Sequence, residues 1–206
     1  MGRTSDAKAK ILTAAESLLE QRGYSALGVA EICNAAGVPK GSFYYFFESK
    51  EALVLAVIDA HWAAERRDWE RILHGDGDPL PRLRRLLEAT EERQRTDQGS
   101  YGAVLGCMFG NLSLEMSNQA DAIRMRLQEI FETEVDMVDA VITEARDRGE
   151  LALSDTREAA RSVVAQLEGL VLFAKLYNNP AQLHSLWPSC LALLGAVDRE
   201  ALAVRA

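Results

Sequence analysis

The stretch from Leu27 to Lys50, LGVAEICNAAGVPKGSFYYFFESK, constrains this chain more than any other. Val29, Ile32, Cys33 and Ala36 form a short apolar stripe at helical spacing, and the stripe stops at Gly37. Pro39 then suits the first turn of a new helix, in which Phe43 and Phe47 lie four apart and face inward. A stripe, a glycine and a second stripe opening on proline predict two brief helices joined by a tight turn at Ala36-Gly37-Val38.

Helical periodicity continues on both sides. Residues 6–22 place Ile11, Ala15, Leu18 and Leu19 on one face, with Gly23 as the stop. Ser49 or Glu48 can cap a fourth helix that runs through Leu53, Val54, Val57 and Ile58 to about His74. GDGDP at 75–79 is the clearest linker. Further helices are expected at about 80–97, 103–118, 120–148, 155–178 and 181–195, with turns at QGSYG, SNQ, RGELALS and NNP. Nothing alternates with period two over a strand length. The expectation is an all-α fold of about nine helices, with a three-helix N-terminal domain at 1–52 and a C-terminal helical domain at 53–206.

Composition removes several classes of function. No run of about 18 apolar residues exists, so no membrane span is expected. MGRTSDAKAK lacks the apolar core of a signal peptide. Cys33, Cys107 and Cys190 are odd in number and widely spaced, which argues for a reducing cytoplasm and against a disulfide framework. His61, His74 and His184 are far apart and form no metal-ligand spacing, so no metal and no cofactor are expected.

The paired helices have the form of a helix-turn-helix, which must expose the start of its second helix to the major groove of DNA. Burying Phe43 and Phe47 leaves Lys40, Gly41, Ser42, Tyr44 and Tyr45 on the outer side. Lys40 can meet a phosphate, and Gly41 permits close approach. Ser42 and Tyr45 can reach base edges, and Tyr44 and Lys50 can bond backbone phosphates. The alternative is an aromatic packing helix in another kind of all-α protein. Phe43, Phe46 and Phe47 fit that, but two adjacent tyrosines after Lys-Gly-Ser are hard to bury together. The formal charge of −8 does not exclude DNA. Residues 1–60 carry 6 Lys and Arg against 7 Asp and Glu, whereas residues 61–206 carry 17 against 24. DNA binding needs a local basic surface, not a basic chain.

AEICNAAGVPKGSFYYFFESKEAL resembles the N-terminal signature of the TetR family of transcriptional repressors, over about residues 8–60. The resemblance implies an all-α homodimer joined through its last two helices, a palindromic DNA operator as partner and a C-terminal domain that answers to a small-molecule effector. It makes Lys40, Gly41, Ser42, Tyr44, Tyr45 and Lys50 the DNA-contact candidates. Three positions depart from the pattern. Leu27 and Gly28 stand where Thr and Ser are usual, and Phe46 stands where His is frequent. A capping hydroxyl and a hydrogen-bond donor are therefore missing.

In the second half, Cys107, Asn111 and Glu115 fall at i, i+4 and i+8 of the expected 103–118 helix, one polar stripe on an apolar element. Gly106 and Gly110 are read as sites of close packing. Lys175, within GLVLFAKLY, is the only lysine after Lys50, although 16 Arg occur in residues 61–206. A buried lysine needs a partner. Beside Cys107 it would favour the reactive thiolate. Otherwise Cys107 is a small buried hydrophobe and Lys175 pairs with Glu115 or Glu168. The GC-x3-N-x3-E segment and the AK pair in the penultimate helix are similar to the NemR- and AcuR-like subgroup. Those regulators respond to electrophiles, oxidants or unsaturated small acids, and the resemblance implies Cys107 as the sensing residue and Lys175 as its basic neighbour. Trp62, Trp69, Tyr101, Phe109, Phe131, Phe173 and Tyr177 can line a pocket or simply form core. Cys107, Lys175 and Glu115 without a nearby His make a poor catalytic set, so no enzyme is expected.

Overall fold

The computed structural model describes residues 2–196. Among these are nine α-helices and no strand, as the periodicity predicts: α1 Gly2–Arg22, α2 Val29–Ala36, α3 Lys40–Phe46, α4 Lys50–Leu73, α5 Pro79–Tyr101, α6 Met108–Met116, α7 Asp121–Asp147, α8 Thr156–Leu176 and α9 Leu186–Leu193. A 3-10 helix, Pro180–Ser185, precedes α9. No helix among the described residues is long and apolar enough to cross a membrane.

The chain forms two compact units. The first holds residues up to Arg66 together with Met108–Glu129, and the second holds Arg67–Cys107 and the residues from Ile130 onward. This division differs from the 1–52 and 53–206 boundaries read from the sequence. The first unit keeps α4 as far as Arg66 and takes in all of α6 and the start of α7.

In the first unit α1 buries Ile11, Ala15 and Leu19, α2 buries Ile32 and Cys33, and α4 buries Leu53, Val54, Val57 and Ile58. Each Leu, Ile and Val among them contributes about 1.5–3 kcal/mol relative to exposure. Phe109 of α6 meets His61 and Trp62 of α4 edge-on, at ring centroid distances of 5.4 and 6.0 Å. Arg126 of α7 donates to Asp59 of α4 at 2.6 Å. In the second unit Leu83, Leu86 and Leu87 of α5, Val163, Leu167 and Val171 of α8, and Cys190 and Leu191 of α9 are buried. Arg82, itself buried, pairs with Glu144, and Arg148 pairs with Asp78 at the start of α5.

Three expected elements are corrected. The turn expected at QGSYG is helical as far as Tyr101, and α5 ends only at Gly102, with φ 72°. The helix expected at 103–118 begins at Met108, because Gly106 takes φ 81°, outside the helical region. The helix expected at 181–195 is split into a 3-10 turn and a short α9. NNP explains the start of that turn. Asn178 ends α8 in the left-handed region, Asn179 accepts from the Ala181 N–H at 3.0 Å, and Pro180 opens the 3-10 helix.

Candidate nucleic-acid interface and thiol site

The turn between α2 and α3 is built by Gly37, at φ 64°. The N–H groups of Gly37 and Val38 donate to the carbonyls of Asn34 and Cys33 at 3.1 and 3.0 Å, which closes the end of α2. Gly28 caps the start of α2 without any side-chain hydrogen bond, the consequence of the missing hydroxyl. Ser49 accepts from the Ala52 N–H at 3.0 Å and so starts α4.

On α3 the ring of Phe43 is 0% exposed, whereas Tyr44 is 57% and Tyr45 74% exposed. Lys40 and Gly41 are exposed, and Ser42 and Phe46 are half-buried. A Cβ at Gly41 would meet no other atom within 4 Å, so packing within the chain does not require a glycine there. Two large amphipathic rings, a lysine and a bare backbone thus stand together at the surface of a helix whose other face is core. This surface can stack, hydrogen-bond and approach a polyanion closely.

Lys50, expected to bond a backbone phosphate, also has partners within the chain. Its Nζ donates to the carbonyls of Tyr24 and Leu27, both at 3.1 Å, and lies 3.9 Å from the centroid of the Tyr24 ring. It ties the start of α4 to the turn between α1 and α2. Glu115, expected in the thiol's stripe, grips the same turn. Its carboxylate accepts from the N–H groups of Tyr24 and Ser25, both at 2.7 Å. Burial works against ionisation of Glu115, but the hydrogen bonds from Ser25 and Tyr24 and the charge of Lys50 outweigh it and lower its pKa. Asn111 lies half-buried on the same helix, α6.

Within the second unit Lys175 and Cys107 interact electrostatically. Burial is the larger influence on Lys175 and pushes its ammonium below the ordinary lysine value, while the neighbouring Cys107 opposes that shift. Burial raises the Cys33 thiol against the opposing charge of Lys40, and burial pushes Cys190 up to about 12. Cys107 is buried and directly precedes α6, so it does not share a helical stripe with Asn111 and Glu115 as the sequence suggested. Trp62, Trp69 and Phe109 are core, whereas Tyr101, Phe173 and Tyr177 are exposed, so the aromatic set does not line one pocket. No group of His, Cys, Asp and Glu among the described residues is placed to hold a metal ion.

Two residues that the sequence reading missed shape the loop before Cys107. Gln94 of α5, 0% exposed, accepts from the Gly106 N–H at 2.9 Å and donates to the Gly106 carbonyl at 3.2 Å. Asn178 accepts from the Val104 N–H at 2.8 Å and donates to the Gly102 carbonyl at 3.1 Å, and its own carbonyl accepts from Gln98. The loop is thus pinned to α5 and to the end of α8, three residues beyond Lys175. A buried glutamine within an amphipathic helix was the available signal for the first. An Asn-Asn-Pro stop was the signal for the second.

Comparison with known proteins agrees with this architecture. Residues 11–57 match the model for bacterial regulatory proteins of the tetR family, and residues 79–189 match that for the tetracyclin repressor-like C-terminal domain. The transcriptional regulator AcuR of Cereibacter sphaeroides is 38% identical over 81% of this chain and 75% of its own length. The HTH-type transcriptional repressor NemR of Escherichia coli K12 is 31% identical over 60% of this chain and 61% of its own. The crystal structure of a regulatory protein TetR from Rhodobacter sphaeroides superposes with a TM-score of 0.81 at 34% identity, covering 89% of this chain and 96% of that one. The reduced form of E. coli NemR gives 0.80 at 26% identity, covering 93% and 98%. These relatives are transcriptional regulators and not enzymes, and the chain belongs to the TetR family of DNA-binding transcriptional regulators.

Proposed function

We propose that the protein is a cytoplasmic, homodimeric repressor that reads a palindromic operator with α3 and lets go of it when Cys107 is modified. Lys40, Gly41, Ser42, Tyr44 and Tyr45 make the DNA contacts, and Lys50 ties the start of α4 to the turn between α1 and α2. The single observation that carries the sensing half is the electrostatic interaction between Lys175 and Cys107. A cation next to a thiol favours the thiolate, which is the nucleophile.

With an electron-poor alkene the step is simple. The thiol proton leaves to solvent, Sγ forms a bond to the β-carbon, the carbon–carbon π bond opens, and the resulting carbanion takes a proton from water. The net change is addition of the thiol across the double bond, with no oxidant required. The similar NemR structure is described as a reduced form, which accords with thiol chemistry in that relative.

The homodimer reading is supported by the outer face of α8. Leu172, Phe173, Leu176 and Tyr177 are all exposed there, with Leu193 of α9. Phe173 and Tyr177 stack at 6.2 Å and 13°. So many large apolar side chains on one helix face mark an interface core. Paired reading helices must then match half-sites at a fixed spacing, so a small displacement lowers affinity.

A second reading keeps the repressor and replaces the covalent step with a non-covalent acid anchored on Lys175. Intact-protein mass spectrometry of DNA-released protein separates the two. The proposal expects one adduct per chain on Cys107, and release without any mass change favours the acid ligand.

A further inference from the structure

We propose that Glu115 is a positioning residue for DNA reading: from α6 it grips the turn between α1 and α2 and so sets the bearing of α3. The inference rests on the operator-reading role of α3 given above. Glu115 lies 91 and 90 residues from its partners Tyr24 and Ser25, and its two carboxylate oxygens take one N–H each at 2.7 Å. Such charge-assisted bonds are short and strong, and taking both N–H groups fixes orientation as well as distance. Lys50 holds the same turn through the carbonyls of Tyr24 and Leu27. The turn is thus gripped by an anion at its N–H groups and by a cation at its carbonyls.

Gly23 completes the fit. It adopts φ +76°, and a Cβ there would lie 2.7 Å from Glu115 Oε2, so the chain is bare where the carboxylate enters. From this turn the path to the reading helix is short. Four residues after Ser25 α2 begins, and α2 passes to α3 through the hydrogen-bonded turn at Gly37. α6 also docks on α4 through Phe109, and Arg126 of α7 through Asp59. The reading unit therefore includes α6, and α6 follows Cys107 directly in the chain.

The test uses the full-length dimer and DNA selected by the wild-type protein from a random pool. The palindrome obtained is rebuilt with its half-sites one base pair closer and one base pair farther apart. The wild type should prefer its own spacing at least ~10-fold, as fixed half-site geometry demands. Glu115→Ala should fall to about a threefold preference or less. Glu115→Gln should lie between, because its single carbonyl oxygen replaces only one of the two acceptors. In Glu115→Ala, amide hydrogen exchange at Tyr24 and Ser25 should rise at least ~10-fold. A variant that loses affinity equally at every spacing, in proportion to its folded fraction, overturns the positioning role while leaving operator reading intact. Unchanged exchange at Tyr24 and Ser25 overturns the grip itself. A wild type without spacing preference overturns reading by paired heads.

Discussion

Gln94→Leu should destabilise the second unit and free the thiol loop. Gln94 is fully buried and bonds both backbone polar groups of Gly106, its N–H and its carbonyl. Leucine has nearly the same volume but offers neither donor nor acceptor. Leaving a buried N–H and a buried carbonyl without partners costs about 1–3 kcal/mol each, and the added apolar contact returns part of that. The net expectation is about 2–4 kcal/mol. A chain of this size loses roughly 2–4 °C of melting temperature per kcal/mol, so the variant should melt about 5–15 °C lower. Thermal unfolding under reducing conditions measures this, and the rate of maleimide addition to Cys107 should rise in parallel. Gln94→Glu sharpens the argument. Its carboxylate accepts from the Gly106 N–H but opposes the Gly106 carbonyl unless protonated. Its deficit should therefore be smallest below about pH 4, where the acid is neutral, and grow as pH rises. A Gln94→Leu protein that melts within about 1 °C of wild type and labels at the same rate would refute the reasoning.

Asn178→Ala should cost about 2–4 kcal/mol, from lost bonds to Val104 and Gly102 and from placing alanine at φ 48°. Asn178→Gly should be about 1 kcal/mol milder, because only the backbone term is relieved, and equal losses in chemical denaturation would contradict that account. Lys175→Met should slow alkylation of Cys107 at neutral pH and move its rate profile to higher pH, since the neighbouring cation is gone; an unchanged profile measured by stopped-flow labelling would count against the pairing. The folded pKa of Glu115 is lowered, so its contribution to stability is complete above the ordinary carboxylate value and is lost as pH falls through the folded one. The melting-temperature gap between wild type and Glu115→Gln should therefore persist at neutral pH and close below about pH 4, and a gap constant down to pH 3 would argue against the ionised grip.

The head of the protein is legible because its signals are local. Phe43 and Phe47 at helical spacing, Gly37 before them and Pro39 at the start determine one helix with one buried face. The exposed position of Tyr44 and Tyr45 follows from the same period. Lys175 was legible as an isolated cation in an apolar helix. What escaped was set by backbone conformation and by distant partners. Gly106 in an apolar run reads equally as close packing or as a helix stop, and only its positive φ decides, which moves Cys107 off the helix. Glu115 stands eight residues from Cys107 and was grouped with it, but spacing along a helix cannot say which neighbour a side chain faces. Its partners are the N–H groups of a turn some 90 residues away. Lys50 fits the family's phosphate-contact position by sequence, and its ammonium also bonds two carbonyls of that same turn.

The most decisive measurement is operator binding by wild type and Cys107→Ser, each with and without a thiol-reactive alkene. Serine keeps the size and shape of the residue but is a far weaker nucleophile. Both proteins should bind the operator equally in the absence of the alkene. Treatment should release the wild type and leave Cys107→Ser bound. Release of Cys107→Ser at the same concentration and rate as wild type would contradict the assignment of Cys107 as the sensing residue.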